Sequence, residues 1–193
     1  MKKLFYLVTA LLMISAACNQ KSATNQEKEE EKVKPDSNVV RRVEIYMDSY
    51  MNGMGKYRLK DYEGAIAEYT KAIEMQPESA ARELFRLRGE AKHALKDYAG
   101  AIADFTKALD NSQRDGAIYY NIGLSKYESK DYSGAITDFT KAIKSDPNNM
   151  GNYYYRGLAK IELGDKRDGC LDLKKAADFN NPDAKEAIKK YCQ

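Results

Sequence analysis

Reactive side chains are few in this 193-residue chain: three cysteines (Cys18, Cys170 and Cys192) and one histidine, His93. A thiol can be acylated, can pair with another thiol or can bind a metal. A histidine can move a proton or join a metal shell. A lone histidine cannot build a His-based cluster. The glycines are spread singly rather than gathered into a phosphate-cradling loop. The 29 acids read as mixed-sign charge on solvated helix faces. No nucleophile, base and orienting group can be assembled from these residues. The chain is therefore expected to be no enzyme, with no catalytic residue, no cofactor, no metal and no small-molecule substrate.

Cys18 follows a leader, MKKLFYLVTALLMISAA, at residues 1–17. Two lysines precede an apolar run from Leu4 to about Ile14, and Ser15, Ala16 and Ala17 close it. Basic start, apolar centre and small-residue end are the parts of a signal peptide. The run is short for a membrane-spanning helix. The leader's end resembles the lipobox of bacterial lipoproteins, in which the cysteine becomes the acylated first residue. The usual Leu three places before the cysteine is Ser15 here, and Ser-Ala-Ala also suits ordinary cleavage after Ala17. The resemblance implies a lipoprotein with Cys18 lipidated, anchored in the bacterial cell envelope and facing the periplasm or exterior. The alternative is a soluble secreted or periplasmic protein. Residues 18–36 then form the lipidated N-terminus and a charged linker too polar to bury itself, spanning roughly 25 Å as a flexible tether. The formal charge of +3 falls to about +1 once Lys2 and Lys3 leave with the leader. Without a basic stripe, nucleic acid is not an expected partner.

The elements that position the remaining residues are repeats. Four segments align without gaps, beginning at Tyr50, near Phe85, at Tyr120 and at Tyr154. Asp61, Asp97, Asp131 and Asp165 recur at spacings of 36, 34 and 34. Each copy carries a glycine in a first helix (Gly53, Gly89, Gly123, Gly157), expected to let the second helix come close at Ala65, Ala101, Ala135 and Gly169. Lys-Asp-Tyr marks the turn in three copies. The second helices repeat an apolar face: Ala65, Ile66, Tyr69, Ala72 and Ile73, then Ala101, Ile102, Phe105, Ala108 and Leu109, then Ala135, Ile136, Phe139, Ala142 and Ile143. Pro77 and Pro147 end their helices. This pattern resembles the tetratricopeptide repeat (TPR), whose period is 34 residues with two helices. The resemblance implies an all-α, right-handed solenoid of four helix-turn-helix repeats plus a C-terminal capping helix. The TPR domain is read as 37–193, with repeats at about 43–78, 80–114, 115–148 and 149–182 and a cap helix at 182–192. The departures are Ser49 where the first copy should carry an aromatic, Gln113 in place of a closing proline, and a fourth copy with Lys166 and Leu173 at aromatic slots.

The resemblance also implies a concave groove lined by the first helices. Helical spacing lines up Tyr50, Met54 and Tyr57, then Arg86, Glu90 and His93, then Tyr120, Leu124 and Tyr127, then Tyr154, Leu158 and Ile161. Tyrosine suits peptide recognition, although such rings also pack between repeats. The basic and asparagine clamp of one TPR subgroup, which grips C-terminal carboxylates, is not reproduced at Tyr50, Met54 and Asn121. The expected partner is a protein or peptide held in the groove. The alternative is a structural subunit of an envelope complex with nothing bound there. Cys170 takes the slot of Ile66, Ile102 and Ile136, so it can pack as a small apolar residue. Reflection through a turn near Asn180 also places it close to Cys192, and an oxidising compartment would let the two bond.

Overall fold

The computed structural model describes residues 36–75, 81–110 and 115–193, and among them regular structure is helical. Cys18, the leader, most of the linker, Pro77 and Gln113 lie outside the described residues. The helices are α1 (Ser37–Arg58), α2 (Tyr62–Glu74), α3 (Arg82–Ala94), α4 (Tyr98–Ala108), α5 (Gly116–Glu128), α6 (Tyr132–Ser145), α7 (Met150–Glu162), α8 (Lys166–Asp178) and α9 (Pro182–Tyr191). Each packs on its sequence neighbours, α3 also touches α5, and α5 touches α7. The result is an all-α array of four helix pairs closed by α9.

The turn inside each pair has one construction. Lys60, Lys96 and Lys130 adopt φ of 62°, 63° and 68°, and Gly164 takes the same role at 88°. That left-handed residue lets the next amide reach back to a helix-end carbonyl, as Asp61 N–H does to Lys56 O at 2.9 Å. The same aspartate then caps the following helix: Asp61, Asp97 and Asp131 accept from Gly64, Gly100 and Gly134 N–H, each at 2.9 Å. The recurring aspartate thus closes one helix and opens the next, which explains its place in every copy.

The close approach at the first-helix glycines is met by a ring in three repeats. A Cβ on Gly53, Gly89 or Gly123 would stand 2.6, 2.7 or 3.0 Å from Tyr69, Phe105 or Phe139. In the fourth repeat the nearest contact is small to small: a Cβ on Gly157 would meet Gly169 O at 2.8 Å. Leu173 replaces the ring there, so the two backbones come together instead.

The expectation that the acids sit on solvated faces fails for one recurring set. Asp104, Asp138 and Asp172 on the second helices are buried. Each is bonded across the pair: Asp104 to Arg88 and Lys92, Asp138 to Lys126, and Asp172 to Arg156 and Lys160. Burying such a charge without partners would be costly, so the basic residues on the facing helix make the position tenable.

The two ends differ. Asn181 caps α9 by accepting from Ala184 N–H at 2.9 Å, and Ala184 and Ala187 are buried against the array. At the other end α1 extends well before the first repeat. Met51 occupies the helix position of Tyr155, whose ring packs on Tyr120, Tyr127 and Phe139 of the preceding repeat, and it is 56% exposed.

Candidate functional site: the face of the first helices

Tyr50, Met54 and Tyr57, Arg86, Glu90 and His93, Tyr120, Leu124 and Tyr127, and Tyr154, Leu158 and Ile161 are all half-buried. They keep one side on the core and one toward solvent. Three occupy a repeated packing arrangement. Tyr57, His93 and Tyr127 pack at 5.3, 5.3 and 5.5 Å, centroid to centroid, against the turn tyrosines Tyr62, Tyr98 and Tyr132. An aromatic ring at this slot therefore serves the scaffold as well as the face.

Tyr155 extends that role between repeats. Its ring lies 6.0 Å from Tyr120, 5.8 Å from Tyr127 and 5.9 Å from Phe139. Burial, followed by Tyr155, pushes Tyr120 up to about 12. Burial does the same to Tyr127, with Glu162 adding to it. Both phenols stay protonated at neutral pH, and Tyr120 gives its hydrogen bond to Tyr155.

A cleft of ≈ 220 Å³ opens between repeats one, two and three, lined by Tyr57, Glu90, His93, Ala94, Phe105, Asn121 and Leu124. A water occupies about 30 Å³, so the space suits several waters or one long side chain, and it is below the usual size for a cofactor. Burial raises Glu90 above its usual value, and Arg86 offsets this only in part. Arg86 itself is held between Glu83 and Glu90. Burial lowers His93 below 6.5, so the ring is neutral at pH 7. Its Nδ1 lies 3.0 Å from Ser125 Oγ, which gives its own proton to Asn121 O at 2.9 Å. Nδ1 must then be the donor, leaving Nε2 as the acceptor.

Of the residues anticipated for this face, the cleft brings together Tyr57, Glu90, His93 and Leu124. Tyr50, Met54, Arg86, Tyr120, Tyr127, Tyr154, Leu158 and Ile161 lie outside its lining. Asn121 and Ala94 were missed. Asn121 shares the helix position of Leu87 and Tyr155, one step round from the stripe that the three-residue spacing picked out. Ala94 directly follows the His93 slot. Away from this face, Cys170 and Cys192 form a disulfide with Cα atoms 5.8 Å apart, tying α8 to the end of α9.

Two tetratricopeptide-repeat family models match the chain, over residues 50–116 and 116–149. No curated protein sequence matches. Among solved structures the chain is similar to MamA from Desulfovibrio magneticus RS-1, at 18% identity and TM-score 0.66, over 70% of this chain and 75% of that one. It is similar to a tetratricopeptide repeat protein from Parabacteroides merdae, at 19% identity and TM-score 0.66, over 73% and 56%. It is also similar to the first TPR of Spaghetti (RPAP3) bound to the HSP90 peptide SRMEEVD, at 21% identity and TM-score 0.57, over 63% and 94%. At these identities the shared property is the fold.

Proposed function

Residues 50–149 are tetratricopeptide repeats, and from that premise we propose that this chain is a membrane-tethered adaptor that binds a protein or peptide segment on the face of its first helices. The observation that carries the reading is the cleft itself. It spans three repeats, mixes aromatic, apolar and polar groups, and is bordered by half-exposed side chains. Recognition surfaces combine these properties. Spaghetti, with a similar fold, holds a peptide. The tether rests on the leader and Cys18, and the disulfide suits a compartment outside the cytoplasm.

A second reading, a structural subunit with nothing in the groove, is favoured by one observation. Tyr57, Tyr120, Tyr127 and Tyr155 find ring partners within the array, so scaffold packing accounts for part of the aromatic content.

Two experiments test the proposal. Labelled palmitate fed to a bacterium expressing the full chain should be incorporated, and Cys18→Ala should abolish incorporation. Label retained by the variant would end the lipid-anchor reading. Pull-down from solubilised membranes should recover a partner that is lost when Ala94→Tyr fills the cleft and kept by Lys71→Tyr on α2. Equal recovery by both variants would favour the structural subunit.

A further inference from the structure

The residue that follows the Tyr57 slot in each first helix is Arg58, Ala94, Glu128 and Glu162 in turn. Ala94 lines the cleft, so this position borders the groove. Along the array the border therefore changes from cationic to neutral to anionic. Glu128 and Glu162 are exposed, and Lys190 of α9 stands within electrostatic reach of Glu162. Their fields reach the groove floor: Glu128 acts on His93, and both act on Tyr127. Asp183 adds to this at Tyr154 and Tyr155, with Lys190 opposing it in part at Tyr154. His93 is neutral and supplies no opposing charge. The groove cation of repeat two, Arg86, is already shared by Glu83 and Glu90.

The cleft points the same way independently. Glu90 lines it, and burial still disfavours its ionised form after Arg86 and Asn121 have acted, so a further cation there would be stabilising. Tyr57 and Asn121 line the cleft beside Glu90, and Asn121 already hydrogen-bonds that carboxylate, leaving an aromatic ring and an amide to border an incoming cation. The volume fits one long side chain rather than a larger group.

We infer that the partner segment is a cationic peptide, with one lysine or arginine side chain entering the cleft between Tyr57, Glu90 and Asn121 and its neighbouring basic residues facing Glu128 and Glu162. This rests on the groove reading above and gives it a chemistry opposite to carboxylate capture. The apolar stem of the side chain lies on Leu124 and Phe105 while its charged head meets Glu90.

The test is selection of a phage-displayed library of random peptides on the purified full chain. The selected peptides should be enriched in Lys and Arg over the unselected library. Each should bind about two- to fivefold more weakly for every carboxylate neutralised in Glu90→Gln and in the Glu128→Gln/Glu162→Gln pair. Added salt should weaken them further, and Glu63→Gln/Glu74→Gln on the outer helix α2 should change nothing. Acidic or uncharged winners that Ala94→Tyr blocks would overturn the cationic inference and leave the groove standing. Winners indifferent to Ala94→Tyr would overturn the groove reading itself. Failure to select any peptide would count against the inference.

Discussion

Arg88 on α3 donates two hydrogen bonds, each 2.8 Å, to the carboxylate of Asp104 on α4, and another to Thr70 of the preceding repeat at 3.0 Å. Arg156 repeats this with Asp172 and Thr140. One side chain thus joins the two helices of its repeat and reaches the repeat before it. Asp104→Ala would leave Arg88 and Lys92 facing each other without their acid, at a cost of about 3–5 kcal/mol in chemical denaturation. Adding Arg88→Met should recover part of that loss, because the uncompensated charge is removed. A double variant as unstable as the sum of the singles would show that the two residues act separately.

Acid should weaken the fold through two groups. Burial would raise Asp104, but its bonds to Arg88 and Lys92 prevail and hold it below 3.8. A depressed carboxylate contributes stability that is present above its unfolded value and lost as pH falls through the folded one. His93, lowered from 6.5 by burial, binds fewer protons folded than unfolded, so stability also falls as pH drops below about 6.5. His93 is the lone histidine, so its ring proton is an unambiguous NMR signal. It should titrate below 6.5, and a midpoint at or above that value would contradict the buried, neutral ring.

Two glycines should answer alanine with opposite signs. At Gly89 a Cβ would stand 2.7 Å from the Phe105 ring, whereas at Gly55 nothing lies within 4 Å. Gly55→Ala gains helix propensity and should stabilise by about 1 kcal/mol. Gly89→Ala gains the same propensity but crowds the ring, for a net loss of about 1–2 kcal/mol. Thermal melts of the two proteins give the comparison, and a stabilised Gly89→Ala would contradict the close packing of α3 on α4.

The Cys170–Cys192 bond closes a separation of 22 residues. In the chain-entropy account that is worth about 3 kcal/mol. Reductant should lower the melting temperature of the parent to that of Cys170→Ala/Cys192→Ala and leave the double variant unchanged. Two free thiols in unfolded, unreduced protein would show that the bond is absent.

The repeat architecture was legible because it is written in periodic residues. The Lys-Asp-Tyr turn fixes where each pair bends, and Asn181-Pro182 announces the closing helix. What glycine faces was not legible. Its absent Cβ is filled by Phe105 from the next helix, and spacing alone does not say which of Ala101 or Phe105 comes nearest. The buried acids were misread for a related reason. Asp104 looks like surface charge until Arg88 and Lys92, one helical turn apart on the facing helix, are brought against it. At the candidate site, Tyr57, Glu90, His93 and Leu124 could be read from one stripe. Asn121 could not, because it enters from the flank that faces the preceding repeat.

The central claim, that the face of the first helices holds the partner, is tested most directly by site-specific photocrosslinking in living cells. A crosslinking amino acid placed at Ala94, on the cleft, should capture a protein partner, with weaker capture at Glu128 on the same border. The same group at Glu74 on α2 or Lys144 on α6 should capture none. Adducts confined to Glu74 and Lys144, with Ala94 silent in a protein that melts like the parent, would contradict it.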